Sequence, residues 1–101
     1  MYIKIHIGQK SKIIAICDED LVGKVLKEKD ICMDLSRYKG FYVGEKTNLE
    51  GAKKELKRGF SSLNIVGSES IKAAIEAEVI DESEVRYVSK IPYIQVYRLI
   101  S

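Results

Sequence analysis

The stretch "YIKIHIG" (residues 2–8) alternates apolar and polar side chains without a break. Successive side chains of a β-strand point to opposite faces, so Ile3, Ile5 and Ile7 share one face and Tyr2, Lys4 and His6 the other. The segment reads as a half-buried strand whose isoleucine face needs a covering layer. "GQKS" supplies a tight turn, and "KIIAIC" (12–17) is apolar on both faces, as a central strand is. The two strands form a hairpin.

"DEDLVGKVLKEKD" (18–30) accommodates one short helical turn, capped by Asp18 or Asp20 and ended at Gly23. "DICMDLS" (30–36) reads as a strand with Ile31, Met33 and Leu35 on one face, and "YKGFYVGEK" as a glycine-punctuated strand or hairpin arm. From Thr47 the period changes. "TNLE" has the form of a capping box, with the Thr47 hydroxyl accepting from the Glu50 amide and the Glu50 carboxylate reaching back. Leu49, Ala52, Leu56 and Phe60 then fall on one stripe, which predicts an amphipathic helix over 48–58 ending near Gly59. "SLNIV" (62–66) is a short buried strand. A second helix over 68–79 turns Ile71, Ala74, Ile75 and Val79 inward, and "DESE" (81–84) is a turn. "VRYVS" (85–89) and "YIQVYRLI" (93–100) are strands, with the single proline, Pro92, between them. Clustered strands with two intervening helices predict one α+β domain over 1–101. Its sheet is mixed or mostly antiparallel, with two main helices packed on one side.

A chain of 101 residues, 46% apolar and 32% charged, suits a single globular domain. Seventeen Lys and Arg against fifteen Asp and Glu leave +2, too weak a bias to argue nucleic-acid binding alone. No apolar run approaches a membrane span, and "MYIKIHIG" lacks the apolar core of a signal peptide. Cys17 and Cys32 form no CxxC pair and read as reduced thiols of a cytoplasmic protein. With His6 the one histidine, neither a metal site nor a cofactor is expected.

"MYIKIHIG", "CDEDLVGK", "NIVG", "AAIEAEVID" and "IPYIQVYR", in this order, resemble the archaeal family called domain of unknown function 424. That family commonly carries a glycine in its "EAG-V-D" segment, where this chain has Glu78. The resemblance implies a small archaeal cytoplasmic protein without an established activity, so no catalytic residue is carried over. It also implies a loose association with translation and ribosome-related proteins.

Three stretches are candidates for chemistry. In "SSLNIVGSES", Gly67, Ser68 and Ser70 could form an anion site, but neither GxxxxGK[ST] nor GxGxxG is present; Ser68 also fits a helix N-cap. "CDED" groups three carboxylates beside a thiol and reads as a solvated helix start. A Cys17–His6 nucleophile pair would lack an orienting third group. Lys53, Lys54, Lys57 and Arg58 on the first main helix are a solubilising surface, or else meet phosphate or an acidic partner.

The most informative surface joins the two chain ends. The last strand sends Tyr93, Gln95 and Tyr97 one way and Ile94, Val96 and Ile100 the other. If the aliphatic residues of both end strands face the core, one wet sheet face displays Tyr2, Lys4, His6, Tyr93, Gln95 and Tyr97. Rings beside cations and amides can stack bases and pair phosphates, although tyrosines also line ordinary sheet surfaces and protein interfaces. The sequence thus points to a non-catalytic binding protein contacting RNA or a ribonucleoprotein, an accessory module in translation. The alternatives are a protein-interaction adaptor or homodimer using the same face, then a small anion-binding protein or enzyme.

Overall fold

A computed structural model describes residues 1–97; Ile100, expected on the core side of the last strand, lies outside them. The alternating segment forms β1 (Tyr2–Ile7), antiparallel to β2 (Lys12–Cys17), and the Gly8 amide donates to the Ser11 carbonyl at 2.9 Å to close the turn. β2 is central. Its other edge pairs in parallel with β6 (Ser62–Val66), which pairs antiparallel with β8 (Ile91–Tyr97), and β7 (Arg86–Val88) closes that side. Two residues, Glu45–Lys46, form β5 on the outer edge of β1. The sheet is therefore mixed, in the order β5-β1-β2-β6-β8-β7.

Residues opposite one another in a ladder share a face. The register puts Ile3 and Ile5 beside Ile16 and Ile14, then Leu63 and Ile65, then Val96 and Ile94. The two main helices, α2 (Leu49–Lys57) and α3 (Ser68–Glu76), cover this face with Ala52, Leu56, Ile71, Ala73 and Ala74. Both lie on one side of the sheet, as the periodicity predicts. Leu56, Leu63 and Ile65 are fully buried, so truncating any one to alanine costs about 2–5 kcal/mol.

The opposite face is not open. Residues 25–42 fold over it as a two-stranded ribbon, β3 (Val25–Glu28) with β4 (Ile31–Asp34), followed by the short helix α1 (Lys39–Tyr42). Leu26, Leu35 and Tyr42 from this layer bury Ala15, Cys17, Val66 and Val88, which makes a second core. The architecture has three layers, and β3 was not anticipated.

Several local expectations shift. The turn after Asp18 is a 3-10 turn (Glu19–Leu21) that the Asp18 side chain does not cap, and Gly23 beyond it takes a φ of +89°. The strand expected over 30–36 stops at Asp34, whose Oδ1 accepts from the Ser36 and Arg37 amides at 3.0 and 2.9 Å and bends the chain. "YKGFYVGEK" is mainly α1, because Lys4 donates to the Gly40 carbonyl at 2.6 Å and His6 stacks on Phe41; these sheet contacts override weak local propensity. The cap of α2 is Asn48, accepting from the Gly51 amide at 2.8 Å, rather than Thr47. Pro92 lies within β8, opposite Tyr87, and its carbonyl accepts from the Gly67 amide at 2.8 Å. Helix α3 ends at Glu76, and Glu78 beyond it has a φ of +61°. Glu78 thus occupies the left-handed position that glycine ordinarily fills after a helix.

Candidate functional site

Register alone places Tyr2, Lys4, His6, Tyr93, Gln95 and Tyr97 on one face of one sheet, as the alternation predicts. They do not form one surface. β2 and β6 separate β1 from β8, roughly 14 Å at strand spacing, and the ribbon and α1 cover the middle. The β1 residues are used internally. The His6 ring stacks on Phe41 at 4.5 Å, and its Nε2 lies 3.0 Å from the Phe41 carbonyl, which can only accept. The Lys4 ammonium is tied to α1, and Lys46 sits 5.8 Å over the Tyr2 ring. On β8, Tyr93 is half-buried against the second core, Gln95 is exposed, and Tyr97 is 73% exposed.

Between the covering layer and β6–β8 lies an open groove of about 480 Å³. Tyr38, Phe41, Tyr42 and Tyr93 give it aromatic walls, and Asn64 and Gln95 give it two carboxamides. Asn64 and Gln95 are opposite one another on β6 and β8, so their side chains leave the same face side by side. Asn64 is 9% and Tyr42 8% exposed, and among the described residues neither the amide nor the hydroxyl has a hydrogen-bond partner. Among the described residues no side-chain polar atom is sealed from solvent without a partner, so both groups reach solvent, and the groove they line is the opening beside them. The sequence carries one unused signal of this: Asn64 is the lone carboxamide inside the apolar run "SLNIV".

Burial, then the nearby Cys17 and Tyr97 acids, push the Tyr42 phenol up from 10.0 to about 12. It is therefore a neutral hydroxyl at pH 7. Arg86 stands opposite Tyr93 on the edge strand, and the Arg37 guanidinium lies 6.0 Å from the Tyr38 ring centroid, so two cations flank the aromatic rim. Among the described residues neither Lys nor Arg lines the groove wall itself.

The other sequence candidates separate from this groove. At the Gly67–Ser70 turn an anion is already present, and it is the chain's own. Asp18 is 6% exposed; its carboxylate accepts from the Glu69 amide at 3.2 Å, the Ser70 amide at 2.8 Å and the Ser70 hydroxyl at 2.6 Å. The N-cap residue is Gly67, not Ser68, with φ +111°; a Cβ there would fall inside the Asp18 carboxyl group. An external phosphate would have to displace Asp18 from these donors.

Cys17 pairs with Tyr2 and His6 with Ile13, four positions along the strand, roughly 13 Å. A Cys17–His6 couple is thereby ruled out. Burial, with the neighbouring Asp18 and Asp20 carboxylates, pushes the Cys17 thiol up to about 12. Among the described residues no three His, Cys, Asp or Glu side chains are grouped to hold a metal. The basic helix lies behind the sheet, on the α2 layer. Lys53 meets Glu76 at 3.4 Å and Glu50 at 3.6 Å, and Arg58 meets Glu55 at 3.3 Å. Lys54 and Lys57 are exposed. No helix among the described residues is long and apolar enough to cross a membrane.

A family model described as "Protein of unknown function (DUF424)" matches residues 5–99. A solved structure, "Crystal structure of an uncharacterized conserved protein from Methanopyrus kandleri", is similar with a TM-score of 0.84 and 25% identity, covering 97% of this chain and 90% of that one. No curated protein matches the chain.

Proposed function

Since the chain belongs to the DUF424 family, whose description assigns no function, we propose from the groove alone that it is a non-catalytic binding protein for single-stranded RNA. One observation carries the reading: two polar groups without a hydrogen-bond partner among the described residues, the Asn64 amide and the Tyr42 hydroxyl, open into an aromatic groove. Flat aromatic walls with amides suit an unstacked base, which offers both a π-face and a hydrogen-bonding edge. Arg37 and Arg86 at the rim would meet the phosphates. Lys53, Lys54, Lys57 and Arg58, behind the sheet, contribute only to the general field.

Anisotropy titration of labelled RNA octamers against salt tests this. The expected result is binding that weakens as salt rises, and that falls about tenfold in Tyr97→Ala or Tyr93→Ala, since a base–aromatic stack contributes about 1–3 kcal/mol. Lys54→Glu has the smaller effect. Absence of RNA binding at low salt, or indifference to both tyrosine substitutions, refutes the reading. A protein partner or homodimer is the second reading, favoured by the short edge strand β7 and the exposed Tyr87 and Tyr97. It predicts a mass that rises with concentration and ignores nuclease.

A further inference from the structure

We infer that the groove reads one base, and that the base is adenine; the inference rests on the RNA-binding reading and specifies its ligand. Each carboxamide presents one N–H donor and one carbonyl acceptor side by side. Asn64 and Gln95, in register on adjacent strands, therefore offer two donor–acceptor pairs to one bound ring. Adenine complements both, because its N6 amino group has two hydrogens and is flanked by acceptors, N7 on one edge and N1 on the other. The pyrimidines match once. Uracil has a single N3 proton to share, and cytosine has no acceptor beyond its amino group on the C5 side. Guanine pairs once on its Watson–Crick edge, through N1–H and O6, but its second pair, N2–H and N3, lies on the sugar edge against the ribose. Its major-groove edge shows two adjacent acceptors, which call for Arg or Lys, and neither lines the groove among the described residues.

The surroundings agree with this choice. Tyr38, Tyr93 and Phe41 line the groove with aromatic rings, and the Tyr42 hydroxyl supplies a further donor or acceptor. Asp34 is also in the wall, with Oδ1 engaged by the Ser36 and Arg37 amides. Its charge disfavours phosphate inside and leaves the backbone to the arginine rim. The volume of about 480 Å³ lies within the range of about 300–1,000 Å³ usual for small-ligand pockets, so a nucleoside fits.

The test combines two titrations of the full chain. Side-chain amide NMR signals of Asn64 and Gln95 are followed with adenosine, guanosine, cytidine and uridine. Oligo-A, oligo-U, oligo-C and oligo-G affinities are measured for wild type, Asn64→Leu and Gln95→Leu. The expected result is adenosine-specific shifts of both amides and an oligo-A preference of about tenfold that collapses in either variant. Gln95 is exposed, so its variant remains informative if Asn64→Leu fails to fold. Equal affinity for all four RNAs, preference for another base, or a preference untouched by Gln95→Leu overturns the adenine assignment while leaving RNA binding in place. Adenosine binding at these amides without any RNA binding overturns the RNA reading and supports the adenine site. Absence of both overturns both.

Discussion

Replacing Asp18 by alanine removes the acceptor for three donors at the start of α3: the Glu69 amide, the Ser70 amide and the Ser70 hydroxyl. Loss of a helix cap alone costs about 1 kcal/mol, and hydrogen bonds to a charged group contribute about 1.5–3 kcal/mol each. These terms overlap, because water enters the vacated space. A total of about 3 kcal/mol is expected, a large share of the roughly 5–15 kcal/mol that stabilises a domain. In thermal unfolding this is a fall on the order of 10–20 °C. Asp18→Asn keeps an acceptor at Oδ1 and should lose about half as much. Urea unfolding followed by circular dichroism measures the change as a lower midpoint at constant slope. A loss under about 0.5 kcal/mol for Asp18→Ala would refute the carboxylate as the cap. The same variant should gain more stability from added sulfate than wild type does, since the amides then lack their anion.

Glu78→Gly should stabilise the chain by about 0.5–1 kcal/mol, because a left-handed L-residue costs about 1–2 kcal/mol and glycine returns part of that as chain entropy; a lower urea midpoint contradicts this. In native protein one thiol, Cys32, should react with a maleimide at neutral pH, whereas Cys17, buried with its pKa near 12, should react only after denaturation. Mass spectrometry of the labelled peptides decides between them. Raising the Tyr42 pKa from 10.0 to about 12 in the folded state gives a stabilisation that is complete below the unfolded value and lost as pH rises through the folded one. Tyr42→Phe should therefore flatten the decline of stability between pH 10 and 12; an unchanged decline would place the titration elsewhere.

Periodicity exposed the elements whose two faces differ sharply. Ile3, Ile5 and Ile7 against Tyr2, Lys4 and His6 identify β1, and Leu49, Ala52 and Leu56 identify α2. The covering layer was only half legible, for the opposite reason: β4 reads as a strand from Ile31 and Met33, but β3 does not. "VLKEKDICMD" buries Leu26 while Val25 and Ile31 remain exposed, so its hydrophobic pattern is faint. The face of the six predicted site residues was correctly read from alternation, yet its accessibility depends on that layer. His6 and Lys4 hold α1 instead of a ligand, while Tyr93 and Gln95 line the groove together with Tyr38, Tyr42 and Asn64. Asp18 shows the same limit. Its carboxylate acts 51 residues away in sequence, on the Glu69 amide, where a local reading supplied Ser68 as the cap.

The most direct test of the RNA-binding groove is to map amide chemical-shift changes as a single-stranded RNA octamer is added. The expected changes cluster on Tyr38, Tyr42, Asn64, Tyr93 and Gln95, the groove residues. Changes concentrated on Lys53, Lys54, Lys57 and Arg58, or none at any residue, would contradict it.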